Sequence, residues 1–295
     1  MNDKKMIWGH IVGIITVLCW GGTFINTKYL IMGGLKPHEI FFLRFLIAYI
    51  CIWFISPRRL FCDHWKDEAL MVLIGITGGS LFFQAENMAV ALSYTTNVSF
   101  IGCTAPLITT CMAIAMVKSV KADTRLVLGS LIALAGVGIV IFNGQFVLHL
   151  NPLGDLLALL SAMAWAVYSL LMKRASSRYG AVFITRKVFF YGLITILPMF
   201  AIEPWTFPLR DFLKPTIWFN LLFLGLVASF VCFALWSWVI RKIGAMKASN
   251  YIYLNPITTV IASAIFLNEP MTIMAYVGSA LILVGVYVSN QAKGI

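Results

Sequence analysis

The chain has 295 residues, of which 61% are apolar and 11% charged, and its mean hydropathy is +0.91. Such values lie far outside the soluble globular range. The net charge of +11 invites a nucleic-acid partner, yet no basic stripe interleaved with stacking aromatics is left once the cations are assigned to loops.

Runs of about 18–25 apolar residues can cross a ~30 Å hydrocarbon core as helices. Ten are predicted, at 7–31, 37–55, 69–91, 93–117, 124–142, 152–173, 181–202, 216–240, 246–267 and 271–290. Lys4 and Lys5 precede the first run, as in a signal peptide. The run is long for a signal core and lacks a small-residue cleavage site, so it reads as a retained first helix. The longest gaps, around 56–68 and 203–215, are short loops with no room for a soluble domain. The expected fold is therefore all-α and integral to a membrane.

The spans repeat. Gly9, Trp20 and Lys28 reappear as Gly154, Trp165 and Lys173 at one offset, and Pro106 and Thr109 as Pro256 and Thr259 at a slightly larger one. Gly129-Ser130 with Gly136-Val137 returns as Gly278-Ser279 with Gly285-Val286. Two five-span units, 1–145 and 146–295, follow. A unit with an odd number of spans begins on one side of the bilayer and ends on the other, so its tandem copy is inserted upside down, as in secondary transporters. With the N-terminus inside, the inner segments hold fifteen basic residues, among them Arg59, Lys66, Arg174, Arg178, Arg241 and Lys247, against Lys28, Lys36, Arg210 and Lys214 outside. This bias places both termini in the cytoplasm and makes lipid headgroups the partners of the excess charge.

Two five-helix halves, each with a Trp in its first helix, a proline in its fourth and a glycine-patterned fifth, resemble the drug/metabolite transporter superfamily, and more narrowly its EamA-type branch. Ala91-Leu92-Ser93-Tyr94-Thr95-Thr96 with Ala105-Pro106, then Asn255-Pro256, Leu267-Asn268-Glu269-Pro270 and the closing glycines, carry the likeness over nearly the whole chain. The resemblance implies a ten-helix carrier with both ends cytoplasmic and a central cavity between the halves. It also implies small metabolites as cargo, often exported amino acids, with nucleotide sugars and sugar phosphates in more distant relatives. One departure is visible: Lys118-Ser119 stands where the second half has Asn268-Glu269, so Glu269 is given no role in transport.

Interrupted helices at matching places in two halves point to a midplane site. Pro106 and Pro256 are such places, each free to bend its span where hydroxyls or cavity water re-satisfy the backbone; a kink that only improves packing is the rival reading. The third span is the polar one. Gln84 and Asn87 share a helix face, whereas Glu86 lies about 160–200° from Gln84. Substrate contact by the amides and proton coupling by Glu86 is one reading, and a Glu86 that snorkels to the outer interface is the other. Trp20, Trp165, Tyr168, Tyr251 and Asn255 are further substrate candidates, against interfacial belts, shared packing and interhelical hydrogen bonds. Lys28 and Lys173 read as snorkelling. Arg44, inside the second span, is a partner for Glu86 or Glu39, and as the lone deep cation it disfavours a phosphate-bearing cargo.

The six cysteines form no CxxC pair, and His10, His38, His64 and His149 all fall at span ends or in loops. No HExxH, GxSxG or phosphate-binding glycine loop occurs, so neither a metal, a cofactor nor an enzymatic centre is predicted. A membrane enzyme, a channel and a nucleotide-sugar or sugar-phosphate exchanger are the rival functions. The preferred reading is an exporter of small metabolites, amino acids foremost, in a bacterial inner membrane. The seven-residue spacing of Gly129 and Gly136, and of Gly278 and Gly285, allows close helix approach within a monomer or across a homodimer.

Overall fold

The computed structural model describes residues 3–56, 59–93, 95–116, 123–142, 151–258, 261 and 273–292. Lys118-Ser119, Thr259 and the Asn268-Glu269-Pro270 segment lie outside them. Among the described residues all regular structure is helical, as expected where apolar surroundings force each backbone group to find a partner within its own segment. In chain order the helices are α1 (Asp3–Gly21), α2 (Thr23–Met32), α3 (Pro37–Ile52), α4 (Trp65–Gly75), α5 (Leu81–Leu92), α6 (Thr95–Gly102) and α7 (Ala105–Met116). They continue as α8 (Thr124–Phe142), α9 (Pro152–Ala175), α10 (Ala181–Ile202), α11 (Pro215–Leu222), α12 (Cys232–Ile243), α13 (Ala245–Ser249) and α14 (Ile273–Asn290).

Several of these are pieces of one span. Among the described residues six continuous stretches are long and apolar enough to cross a membrane: Met6–Met32, Trp65–Leu92, Val98–Met116, Pro152–Ala175, Ala181–Ile202 and Pro215–Ile243. A π-helical turn, Ile76–Ser80, joins α4 to α5, and a longer one, Phe223–Val231, joins α11 to α12. They occupy corresponding spans of the two halves. The prolines sit differently from the expected mid-helix kinks. Pro106 is the second residue of α7, just past a turn at Cys103 and Thr104, and Pro256 follows the 3₁₀ turn Asn250–Leu254. Each helix breaks before its proline, which then starts the next piece, where its missing N–H costs nothing.

The glycine stripes meet each other. A Cβ on Gly136 would lie 2.7 Å from the Gly278 carbonyl, and one on Gly285 2.6 Å from that of Gly129. The partner of α8 is therefore α14 of the same chain, with only glycine allowing that backbone contact. A second close approach is duplicated at the two ends of the bundle. At the end where α1 begins, Gly9 fits against Ile243 at the close of α12, and its Cβ would lie 2.8 Å from Cγ2. At the opposite end Gly154 of α9 fits against Ser93, just past α5, with its Cβ 2.7 Å from that of the serine. Residues 9 and 154 correspond at one repeat offset, and 93 and 243 at the other. The neighbouring side chains complete both contacts: His10 Nδ1 lies 2.5 Å from the Tyr251 hydroxyl, and Ser93 Oγ donates to Asp155 Oδ1 at 3.1 Å.

Near the start of α4 a polar network ties the halves together. Glu68 accepts from Lys187 Nζ, the Tyr191 hydroxyl and, at 2.7 Å, the Cys62 N–H. Asp67 accepts from Arg178 at 2.8 Å and from the Tyr179 hydroxyl at 2.9 Å. In the adjoining loop, the hydrogen bond from Arg59 holds the Asp63 carboxyl below its ordinary range, while partial burial pushes the Cys62 thiol up to about 11.

Candidate functional site

An aromatic cluster fills the middle of the bundle, with Phe45, Phe83, Phe189, Phe233 and Trp236 buried within it. Beside it lies a cavity of about 670 Å³ including its open mouth and the solvent within it. Both halves and most of the helix breaks contribute to its walls. The α1/α2 break brings Trp20, Thr23 and Phe24, and the α6/α7 break brings Ser99, Gly102, Cys103 and Ala105. From the second half come Ser161, Ala162 and Trp165 of α9, Phe233 of α12, and Ile252 and Asn255 around the 3₁₀ turn. Arg44 of α3 and Phe82, Phe83 and Glu86 of α5 complete the lining.

The repeat-matched tryptophans touch. Their ring centroids are 5.4 Å apart at 86°, edge to face, and Trp20 also lies 5.1 Å from Trp236. The Trp20 indole N–H donates to the Ala228 carbonyl at 2.9 Å. That acceptor belongs to the π-helical turn of Phe223–Val231. The Trp165 indole N–H has no hydrogen-bond partner among the described residues.

The same π turn fixes Arg44. This residue is 3% exposed. Its Nε donates to Ser229 Oγ at 2.9 Å, and its guanidinium carbon stands 4.2 Å from the centre of the Phe83 ring. Glu86 is half-buried, its surface opening onto the cavity. No direct ion pair joins Arg44 and Glu86 among the described residues. Glu39, the alternative partner, is fully buried and spends its oxygens on the backbone N–H groups of Lys36 and Thr206, each at 2.9 Å.

Of the residues singled out in the sequence, Trp20, Trp165, Glu86 and Asn255 meet in this cavity. Gln84 and Asn87 do not line it: α5 turns its Glu86 face inward and its amide face elsewhere. Asn87 is buried and donates to the Pro37 carbonyl at 3.1 Å, tying α5 to the start of α3. Tyr168 is fully buried behind Trp165, with ring centroids 5.0 Å apart, and Tyr251 is engaged with His10. Pro106 and Pro256 lie one position beyond the lining residues Ala105 and Asn255, so the breaks border the cavity and the rings themselves do not. Sequence reasoning passed over Phe82, Phe83 and Phe233, which carry no signal in a chain this aromatic. It also passed over Ser229, whose role depends on the π turn.

A family model described as the EamA-like transporter family matches the chain twice, over residues 7–142 and 152–291. The chain belongs to that family. This EamA-like protein is a multi-pass membrane protein by its family and its long apolar helices. An uncharacterized transporter of Archaeoglobus fulgidus is 25% identical over 302 residues, spanning 99% of each chain. A probable amino-acid metabolite efflux pump of Escherichia coli is 22% identical and covers 95% of this chain and 93% of its own. A solved crystal structure with 17% identity superposes with a TM-score of 0.76, covering 98% of this chain and 97% of the other; at that identity it speaks for the fold alone.

Proposed function

We propose that this EamA-like protein is a secondary transporter that exports a small amphipathic metabolite, an amino acid foremost, by alternating access around the central cavity. In this reading ten helices form two repeats of opposite orientation, 1–145 and 146–295, in a bacterial inner membrane with both termini cytoplasmic. The carrying observation is that one cavity is built from both halves around the touching pair Trp20 and Trp165. Broken helices at its walls favour a transport site over a packing defect, because irregular backbone at membrane depth is tolerated where it lines a cavity. The Escherichia coli relative's name supports export and the amino-acid class. Trp20, Trp165 and Asn255 are the substrate-contacting groups from the initial set. Glu86 is the carboxylate for proton coupling, since a carboxylate facing a cavity inside a membrane is retained for a task that repays its desolvation.

The test is flux of a labelled amino-acid panel in proteoliposomes, with and without a pH gradient, for the native chain and Glu86→Gln. Saturable, gradient-driven flux of one amino-acid class that becomes gradient-independent in the variant is the expected result. Gradient-independent flux in the native chain would remove proton coupling and keep the carrier. Absence of flux across the whole panel would overturn the amino-acid assignment.

A further inference from the structure

Resting on the carrier reading above, we propose that Arg44 and Glu86 are the specificity-determining pair of the site: two fixed, opposite charges that recognise the carboxylate and the ammonium of one zwitterionic substrate. A buried charge pair ordinarily survives by direct contact, because each ion taken from water costs several kcal/mol and the partner must offset it. Here the guanidinium and the carboxylate line the same cavity without forming an ion pair. Each instead presents its charge to the space between the aromatic walls.

The geometry of Arg44 shows which edge it offers. Its Nε is taken by Ser229, and one face of the guanidinium plane lies over the Phe83 ring. The two terminal nitrogens have no hydrogen-bond partner among the described residues, although the side chain is 3% exposed. A guanidinium held this way presents a planar pair of N–H donors, which a carboxylate accepts in two parallel bonds. Glu86 spends no hydrogen bond on a described residue either, and so faces the cavity as a free acceptor for an ammonium. Trp20, Trp165, Phe24 and Phe82 form the apolar wall for the side chain.

Selectivity follows from what the pair leaves unpaired. An amine without a carboxylate confronts Arg44 with no anion, an acid without an ammonium confronts Glu86 with no cation, and a phosphate dianion is repelled by Glu86. A site whose buried polar groups lose their partner rejects such analogues steeply, by about 100-fold or more. The pair also gives coupling a concrete form. A proton and an ammonium compete for the same carboxylate, so the substrate leaves Glu86 on one side as a proton takes its place, and the proton leaves it on the other as substrate arrives.

The experiment starts from whichever amino acid the native protein moves best in proteoliposomes, and uses two competitors: the amine lacking its carboxylate and the acid lacking its amino group. Both should inhibit about 100-fold more weakly than the amino acid in the native protein. Arg44→Gln should erase the discrimination against the amine alone, and Glu86→Gln that against the acid alone. The native competitor series needs no variant, so misfolding of either substitution leaves the test standing. If amine or acid competes as well as the amino acid, the pair is overturned while the carrier remains. If no amino acid is moved, the substrate assignment and the pair fall together.

Discussion

Replacing Gly285 by alanine is a quantitative probe of the α8–α14 contact. The added methyl would stand 2.6 Å from the Gly129 carbonyl oxygen, against an ordinary contact of 3.4 Å or more. The shortfall is about 0.8 Å, and the obstructing atom is backbone, which cannot rotate aside as a side-chain tip can. Two helices must therefore move apart along the whole stripe from Gly129 to Gly136, with Gly278 and Gly285 opposite. Overpacking of this kind costs about 1–3 kcal/mol, from which alanine's better helix propensity recovers up to ~1 kcal/mol. The net expectation is ~1–2 kcal/mol of destabilisation. Gly22→Ala is the control: its backbone is already helical, at φ −80° and ψ −18°, and the nearest atom to a new Cβ is 3.7 Å away. That variant should be neutral or more stable. Both can be read from reversible unfolding in mixed micelles titrated with a denaturing detergent. Equal behaviour of the two variants would refute the contact. Unchanged stability of Gly285→Ala with loss of a cross-linkable dimer would assign the stripe to an intermolecular interface instead.

Three further outcomes follow from named contacts. Lys187→Met should destabilise by about 2–4 kcal/mol, since it strips the cation from Glu68 while leaving that carboxylate two other donors. Adding Glu68→Gln should restore part of the loss, and strict additivity in the double-mutant cycle would show that the two groups are uncoupled. Trp20→Phe should cost about 1–3 kcal/mol by orphaning the Ala228 carbonyl, while Trp165→Phe, whose indole N–H has no hydrogen bond among the described residues, should cost less; the reverse order in thermal unfolding contradicts the assignment. Asn87→Ala should lower stability by about 1 kcal/mol through the lost bond to Pro37 and leave the transport KM unchanged. A raised KM at unchanged stability would return Asn87 to the substrate path.

Much of the architecture is legible in residue order because membrane depth imposes length and apolarity together: a run such as 152–173 has few alternatives to a spanning helix. The repeat is legible because Trp20 and Trp165 keep their spacing from Gly9 and Gly154. What a sequence of this kind withholds is azimuth. The spacing of Gln84, Glu86 and Asn87 establishes that Gln84 and Asn87 share a face of α5 and that Glu86 points away from Gln84. It cannot say which face meets the cavity, since that depends on α5 being clamped to α3 through the Pro37 carbonyl. Tyr168 and Tyr251 were indistinguishable from Trp165 and Asn255 for the same reason. The π turn at Phe223–Val231 is invisible for another. Its tertiary partners, the indole of Trp20 on the Ala228 carbonyl and the guanidinium of Arg44 on the Ser229 hydroxyl, come from distant parts of the chain that local spacing does not reveal. Arg44 itself was visible as the lone deep cation and a partner for Glu86 or Glu39.

The duplicated glycine contacts at the two ends of the bundle bear on how such a molecule is poised. Gly9 against Ile243 and Gly154 against Ser93 occupy repeat-matched positions, so the glycine's share in parting each contact is the same to first order at either end. In the proposed alternating carrier the resting preference is set by the places where the versions differ: Ile243 against Ser93 beneath the glycine, and His10 with Tyr251 against Asp155 with Ser93. A difference of ~1.4 kcal/mol between those two hydrogen-bonded pairs tips the population tenfold. Duplication supplies a balance near its midpoint, and divergence at a handful of positions sets the bias.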